Sequence, residues 1–305
     1  MSGHHGFPAD RLRARISAGP PVLAAGCHDA LSARLAADAG FEAVHLSGAA
    51  VSATALGLPD LGFTGATDMV DALRRVSAGA GPGVPIVADA DTGYGDPLQA
   101  AETARRYEAA GAAALHLEDQ VLPKRCGHMA GKRLVPVDEA AARVAAAAGA
   151  RQRLLVIART DALSVAGTAE TLARVAAYAA AGADAIFVEG ARGAAEFEAV
   201  REAAAGLPLV VNFSEAGAEP DPLPVLAKAG VRLALFPVAA LLAGARAMRD
   251  AYRGVLDRAA LPGGTLPWDE FTALLGQDAL VEAEHRYRAA PSPSLSSTSD
   301  SQEPA

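Results

Sequence analysis

Cysteine is scarce in this chain, with two in 305 residues. Cys27 and Cys126 stand in unlike contexts, and no charged segment followed by an apolar one opens the chain as a secretory signal would, so a reducing cytoplasm is the expected setting. A cationic excess is missing too. Lys and Arg number 27 against 35 for Asp and Glu, a formal charge of -8, so no basic surface invites a phosphate backbone and nucleic-acid binding is disfavoured. Long apolar runs are absent as well. The most apolar stretches, such as Leu154 to Ala158, fall far short of the ~20 residues that cross a bilayer, so no membrane partner is expected. His4 and His5 fall in a terminus expected to fray and receive no role.

What is present is alternation. Eight short apolar runs of β character can be counted: Pro21 to Ala25, Ala43 to Ser47, Pro85 to Asp89, Ala113 to Glu118, Leu154 to Arg159, Ala185 to Glu189, Leu209 to Asn212 and Arg232 to Phe236. Ala-rich helical stretches separate them, for instance Asp29 to Ala39, Pro97 to Ala110, Asp138 to Ala148 and Thr168 to Ala181, with Gly40, Gly111, Gly149 and Gly182 placed to end them. Eight successive βα units predict an α/β fold of the (β/α)₈ barrel type. A doubly wound open sheet is the alternative, but the first strand is not followed by the Gly-x-Gly-x-x-Gly turn of a dinucleotide fold. The expected organisation is a flexible N-terminus over 1–10, one catalytic barrel domain with C-terminal helices over 11–289, and a disordered tail rich in Ser and Pro over 290–305. The helical run Ala239 to Leu256 and one or two helices over Trp268 to Arg288 lie beyond the barrel repeat and are candidates to pack on a partner subunit.

Active sites of such barrels sit at the carboxyl ends of the strands. Those ends carry Ser47, Asp89 with Asp91, His116 with Glu118, Arg159 with Asp161, Glu189, and Asn212 with Ser214. Any one of them is polar simply because strand ends approach water. Six strands agreeing is harder to dismiss. Asp89, Asp91 and Glu118 offer hard oxygen ligands for Mg²⁺, with Mn²⁺ able to take its place, and Asp60 reaches in from a loop. Asp-x-Asp alone reads equally well as a turn or cap. Arg159 ends an apolar strand and needs an anion, either a substrate carboxylate or Asp161. Asn212 and Ser214 offer donors for a second carboxylate. In Lys124-Arg125-Cys126-Gly127-His128 a lone thiol stands among three potentially cationic side chains, a setting that favours thiolate and proton exchange near neutral pH.

These segments together resemble the isocitrate lyase and phosphoenolpyruvate mutase superfamily, within it the group of 2-methylisocitrate lyase, dimethylmalate lyase, petal-death-type lyases and carboxyphosphonoenolpyruvate mutase. The resemblance spans roughly Pro21 to Arg258. It rests on Leu46-Ser47-Gly48-Ala49, Leu56 to Gly62, Asp89 to Gly95, Leu117-Glu118-Asp119-Gln120, the Cys126 segment and Ala158 to Ala162. It implies a barrel that swaps its eighth helix between subunits and forms homotetramers. It further implies that Ser47, Gly48 and Ala49 hold a substrate carboxylate, that Asp89 and Asp91 hold Mg²⁺ near Glu118 and Asp60, and that Cys126 is the catalytic acid or base. Val121 to Arg133, with Gly127, His128 and Gly131, would be a mobile gate. Arg159, Glu189, Asn212 and Ser214 would line the rest of the pocket, with His116 in support.

The implied reaction is carbon–carbon cleavage of a small 2-hydroxy or 2-oxo di- or tricarboxylate through an enolate, releasing pyruvate or a related oxo acid. A phosphonate-forming mutase and an oxaloacetate decarboxylase or hydrolase are the alternatives. Two departures bear on substrate. Phe236 to Leu242 offers only apolar groups where 2-methylisocitrate lyases carry a substrate arginine, and His45 takes the position often held by tyrosine, which leaves the initial base open.

Overall fold

The structure, a computed structural model, describes residues 6–215 and 219–289. Eight parallel strands form a closed barrel in sequence order: β1 (Val22–Cys27), β2 (Ala43–Leu46), β3 (Ile86–Asp89), β4 (Ala114–Glu118), β5 (Leu155–Thr160), β6 (Ala185–Val188), β7 (Leu209–Asn212) and β8 (Val231–Phe236). β8 pairs with β1, Val22 opposite Leu233, which closes the ring. The strands are apolar on both faces because both are covered, side chains alternating between the barrel interior and the helical layer. On β4, Ala114 belongs to the interior cluster while Leu115 and Leu117 pack under the helices.

The helices are α1 (Pro8–Ser17), α2 (Ala30–Asp38), α3 (Gly48–Val51), α4 (Ala66–Ala80), α5 (Pro97–Ala109), α6 (Val137–Ala150), α7 (Ala162–Ala180), α8 (Ala194–Ala203), α9 (Leu223–Lys228), α10 (Ala239–Arg258), α11 (Trp268–Leu274) and α12 (Gln277–Ala289). Local chemistry sets several starts. Asp96 accepts from the N–H groups of Leu98 and Gln99, and Pro97 gives up an amide that would have no partner. Leu12 and Ile16 of α1 join the interior cluster with Val22, Leu155 and Leu233.

The strands fall within two residues of expectation, and Gly40, Gly111 and Gly182 adopt the left-handed conformation that ends a helix. Gly149 does not: α6 continues through it to Ala150. α7 begins at Ala162, but Gly167, at φ 80°, interrupts it just before the expected start at Thr168. The stretch 1–10, expected to be flexible, already contains the start of α1, whose apolar side chains have the interior to bury against. The single domain expected over 11–289 divides into two compact units, Met1–Asp250 and Ala251–Ala305. The tail expected over 290–305 lies outside the described residues. No helix among the described residues is long and apolar enough to cross a membrane.

Candidate active site

Strand parity decides which side chains enter the barrel. His45, Asp89, His116, Arg159 and Phe187 each follow by two residues an interior residue of their own strand: Ala43, Val87, Ala114, Ile157 and Ala185. They therefore form the last inward layers before the strands end, around a cavity of about 270 Å³. Of the residues expected to bind substrate, Ser47, Ala49, Asp60, Gly127, His128, Arg159, Glu189, Asn212 and Ser214 all line it, and Cys126 and His116 line it with Asp89. Gly48 does not. Its N–H instead donates to Asp89 Oδ2 at 3.0 Å, and a Cβ there would stand 3.0 Å from that oxygen, so the glycine serves the carboxylate rather than the cavity.

Asp89 Oδ1 accepts from the Asp91 N–H at 3.0 Å. Burial by itself would raise the Asp89 carboxyl, but His116, Lys124 and Arg159 hold it below the usual range. Asp91 is different. Burial and the nearby Asp89 charge lift its carboxyl to about 7 against the pull of Lys124. Its backbone sits at φ 44°, a conformation aspartate tolerates better than most residues. Burial likewise raises Glu118 well above its ordinary value, more than Arg159 offsets.

Two residues gain importance that the sequence did not assign. Lys124 is 3% exposed, with its Nζ 2.6 Å from Asp60 Oδ1 and 2.7 Å from Asp91 Oδ1. Its place beside Cys126 was the only sequence clue. His45 meets His116, Nε2 to Nε2, at 3.0 Å. Burial pushes His45 down to about 3 and His116 down to about 4, so both rings are uncharged at neutral pH.

Arg159 answers its either-or. Its Nε and Nη2 donate to the two oxygens of Asp161 at 3.0 and 3.3 Å, and Glu118 and Glu189 stand 3.3 and 3.4 Å away. Asp161 is thus its bidentate partner, while the guanidinium still borders the cavity. Cys126 requires a correction. Burial pushes its thiol above the ordinary value instead of favouring thiolate. Of the three cations expected to favour the anion, Lys124 is already committed to Asp60 and Asp91, and Asp60 adds a further upward push on the thiol.

The loop carrying Cys126 rises from the end of β4. Its legs are joined by the Gln120–Leu134 bridge and the bond from Val121 N–H to Arg133 O at 2.8 Å. Lys132 Nζ donates to Asp161 Oδ1 at 2.8 Å and to the Gly127 carbonyl. Beneath it, Asp119 Oδ2 accepts from Thr160 Oγ1, Tyr178 OH and Arg174, tying β4, β5 and α7 together.

Among the described residues no three His, Cys, Asp or Glu side chains are grouped closely enough to ligate a metal by themselves. The donor set nevertheless suits a hard divalent cation. Glu118 Oε1 is buried without a hydrogen-bond partner, and burial raises the Asp91 and Glu118 carboxyls by more than Lys124 and Arg159 offset. Mg²⁺ keeps several waters and takes only one or two carboxylates directly.

Residues 12–256 match the family described as phosphoenolpyruvate phosphomutase. The chain belongs to the phosphoenolpyruvate mutase/isocitrate lyase superfamily. It is 36% identical over 285 residues to 2,3-dimethylmalate lyase of Eubacterium barkeri, covering 92% of this chain and 98% of that one. It is 40% identical over 243 residues to 2-methylisocitrate lyase of Bacillus subtilis (strain 168), covering 78% of each. A crystal structure of 2,3-dimethylmalate lyase superposes with a TM-score of 0.86 at 37% identity, over 92% of this chain and 96% of that one. The superfamily member expected from the motifs, an enzyme of the carbon–carbon lyase kind in a (β/α)₈ barrel, is what these matches show.

Proposed function

We propose that this enzyme cleaves the C2–C3 bond of a small 2-hydroxy dicarboxylate bearing an alkyl group, releasing pyruvate or a related oxo acid, with a divalent cation as cofactor. One observation carries the reading: the cavity lining is mixed, with the apolar Leu235, Pro237, Val238 and Leu242 besides the charged Asp89, Lys124, Arg159 and Glu189. An alkyl substituent against the apolar wall gains about 0.8 kcal/mol per CH₂. A third carboxylate there would lose its water with no cation to meet it, at a cost of several kcal/mol. The wall therefore favours a substrate of the 2,3-dimethylmalate type over a tricarboxylate such as 2-methylisocitrate.

Asp89, Asp91 and Glu118 would hold Mg²⁺ or Mn²⁺, which when bound polarises a substrate oxygen as a Lewis acid. Ser47, Asn212 and Ser214 offer hydrogen bonds to the carboxylates, and Arg159 offers charge to the enolate formed when the bond breaks. Cys126, a protonated thiol at neutral pH, gives its Sγ proton to the enolate carbon. The hydroxyl proton removed at the start restores the thiol, so no net proton is consumed. The segment over 121–133 closes this chemistry from water.

The test is a panel of 2,3-dimethylmalate, 2-methylisocitrate, malate, oxaloacetate and isocitrate. Release of pyruvate or glyoxylate is coupled to a reductase, with and without EDTA. Cation-dependent cleavage of an alkylmalate ahead of the tricarboxylates is expected. Cleavage of 2-methylisocitrate alone, or conversion of added phosphoenolpyruvate to a phosphonate seen by phosphorus NMR, would refute it.

We also propose a homotetramer. Within the second unit Trp268, Leu280 and Tyr287 are 77, 68 and 79% exposed, large apolar side chains that further copies would cover. Sedimentation of a monomer at micromolar concentration would count against it.

A further inference from the structure

β1 carries no side chain in the layer where its neighbours point into the site. Val22 and Ala24 belong to the interior cluster, and Gly26, two residues on and opposite His45 of β2, continues that face. Its backbone is that of an ordinary strand, so conformational freedom is not why a glycine stands there. Space is the reason. A Cβ at Gly26 would lie 2.1 Å from the Pro237 carbonyl oxygen and 2.4 Å from that of Phe236, whereas ordinary contact begins at 3.4 Å. The chain leaving β8 thus bends over the inward face of β1, into room that a side chain would have taken. A ring holds the same turn from the helical layer. Phe236 stacks on Phe213, centroids 5.0 Å apart and planes 12° apart, and the Phe213 N–H donates to the Leu235 carbonyl at 2.8 Å. Leu235, Pro237 and Val238 line the cavity, whereas neither phenylalanine ring does.

We propose that Gly26 and Phe213 are positioning residues of this site, clamping the Phe236–Pro237 turn between them and so setting how large an alkyl group the apolar lining admits. The identity of the ligand rests on the lyase reading above. A methyl at position 26 would point into the barrel, so the carbonyl it meets gives way into the mouth or along the rim. The Pro237 and Val238 side chains go with it. Room for an alkyl group then shrinks, while Asp89 and Arg159 keep their places on β3 and β5, neither of which pairs with β1 or β8.

The test compares succinate with 2,3-dimethylsuccinate by calorimetry of the full chain in Mg²⁺; both lack the 2-hydroxyl and so cannot undergo the cleavage. The unaltered chain is expected to bind the dimethyl acid about 10-fold more tightly, two methyl groups having gained an apolar lining. Gly26→Ala should bring that ratio to about one, with succinate affinity little changed. Gly79→Ala is the control, because a Cβ there would stand 2.0 Å from the Ala30 carbonyl oxygen, an equal overlap placed between α4 and α2 outside the barrel. It should keep the ratio. Phe213→Leu removes the stack without adding an overlap, should lower the ratio about 4-fold, and decides the matter where Gly26→Ala does not fold. The proposal is overturned if the unaltered chain shows no preference for the methyl groups, if either folded variant keeps that preference in full, or if Gly79→Ala loses it as well. Should the ratios behave as expected while nothing in the substrate panel is cleaved, the lyase reading fails and the clamp stands. Cleavage of an alkylmalate with the ratios unmoved is the reverse.

Discussion

Replacing Lys132 by Met should loosen the loop over 121–133 before it loosens the barrel. Lys132 is 8% exposed, and its ammonium makes two bonds, one to Asp161 and one to the Gly127 carbonyl. Methionine keeps the apolar stem and removes both. Stripping one partner from a buried ion pair costs about 3–5 kcal/mol when the other is left alone. Asp161 is not left alone, because Arg159 still donates to both of its oxygens. The loss is then nearer that of one hydrogen bond to a charged group, ~2 kcal/mol. Since the loop can open without unfolding the strands, that energy should appear as local opening, about 30-fold more frequent. Hydrogen exchange of the amides over 121–133 reads it directly, as does tryptic cleavage at the exposed Arg125 and Arg133. Unchanged exchange in the loop would refute the latch. So would a uniform rise in exchange across the barrel strands, which would make Lys132 a support of the whole fold.

Gly127→Ala places a methyl 2.6 Å from Arg159 Nη2 and 2.7 Å from Glu189 Cδ, so kcat/KM should fall about 10-fold or more as the loop is held off; an unimpaired variant would mean the loop need not approach so closely. For Cys126, iodoacetamide should react slowly at neutral pH, with the midpoint of its pH dependence above that of a free thiol because burial raises the group; a midpoint at or below the ordinary value would restore the thiolate. Cys126→Ser should lower turnover by about 10²- to 10⁴-fold, the span for a positioned proton donor. Asp119→Asn leaves Arg174 with Glu170 as its remaining acid, and should lower stability by about 3 kcal/mol in denaturant titration. A loss under about 1 kcal/mol would show that the Asp119 network is dispensable.

The sequence by itself determined the barrel and its polar rim. Eight apolar runs spaced by Ala-rich helices leave little choice of topology, because parallel strands need a crossover between each pair. Counting by two along each run already says that His45, Asp89, His116 and Arg159 share a side with Ala43, Val87, Ala114 and Ile157. Periodicity does not say which charges are spent on one another. Lys124 settles on Asp60, 64 positions earlier in sequence, because barrel closure brings the two loops to the same rim, and burial at that rim turns an expected thiolate into a protonated thiol. Gly48 serves Asp89 for the same reason. The meeting of His45 with His116 is likewise tertiary: it joins β2 to β4 across the strand between them, and contacts across strands follow from register and distance, which no run of residues encodes locally.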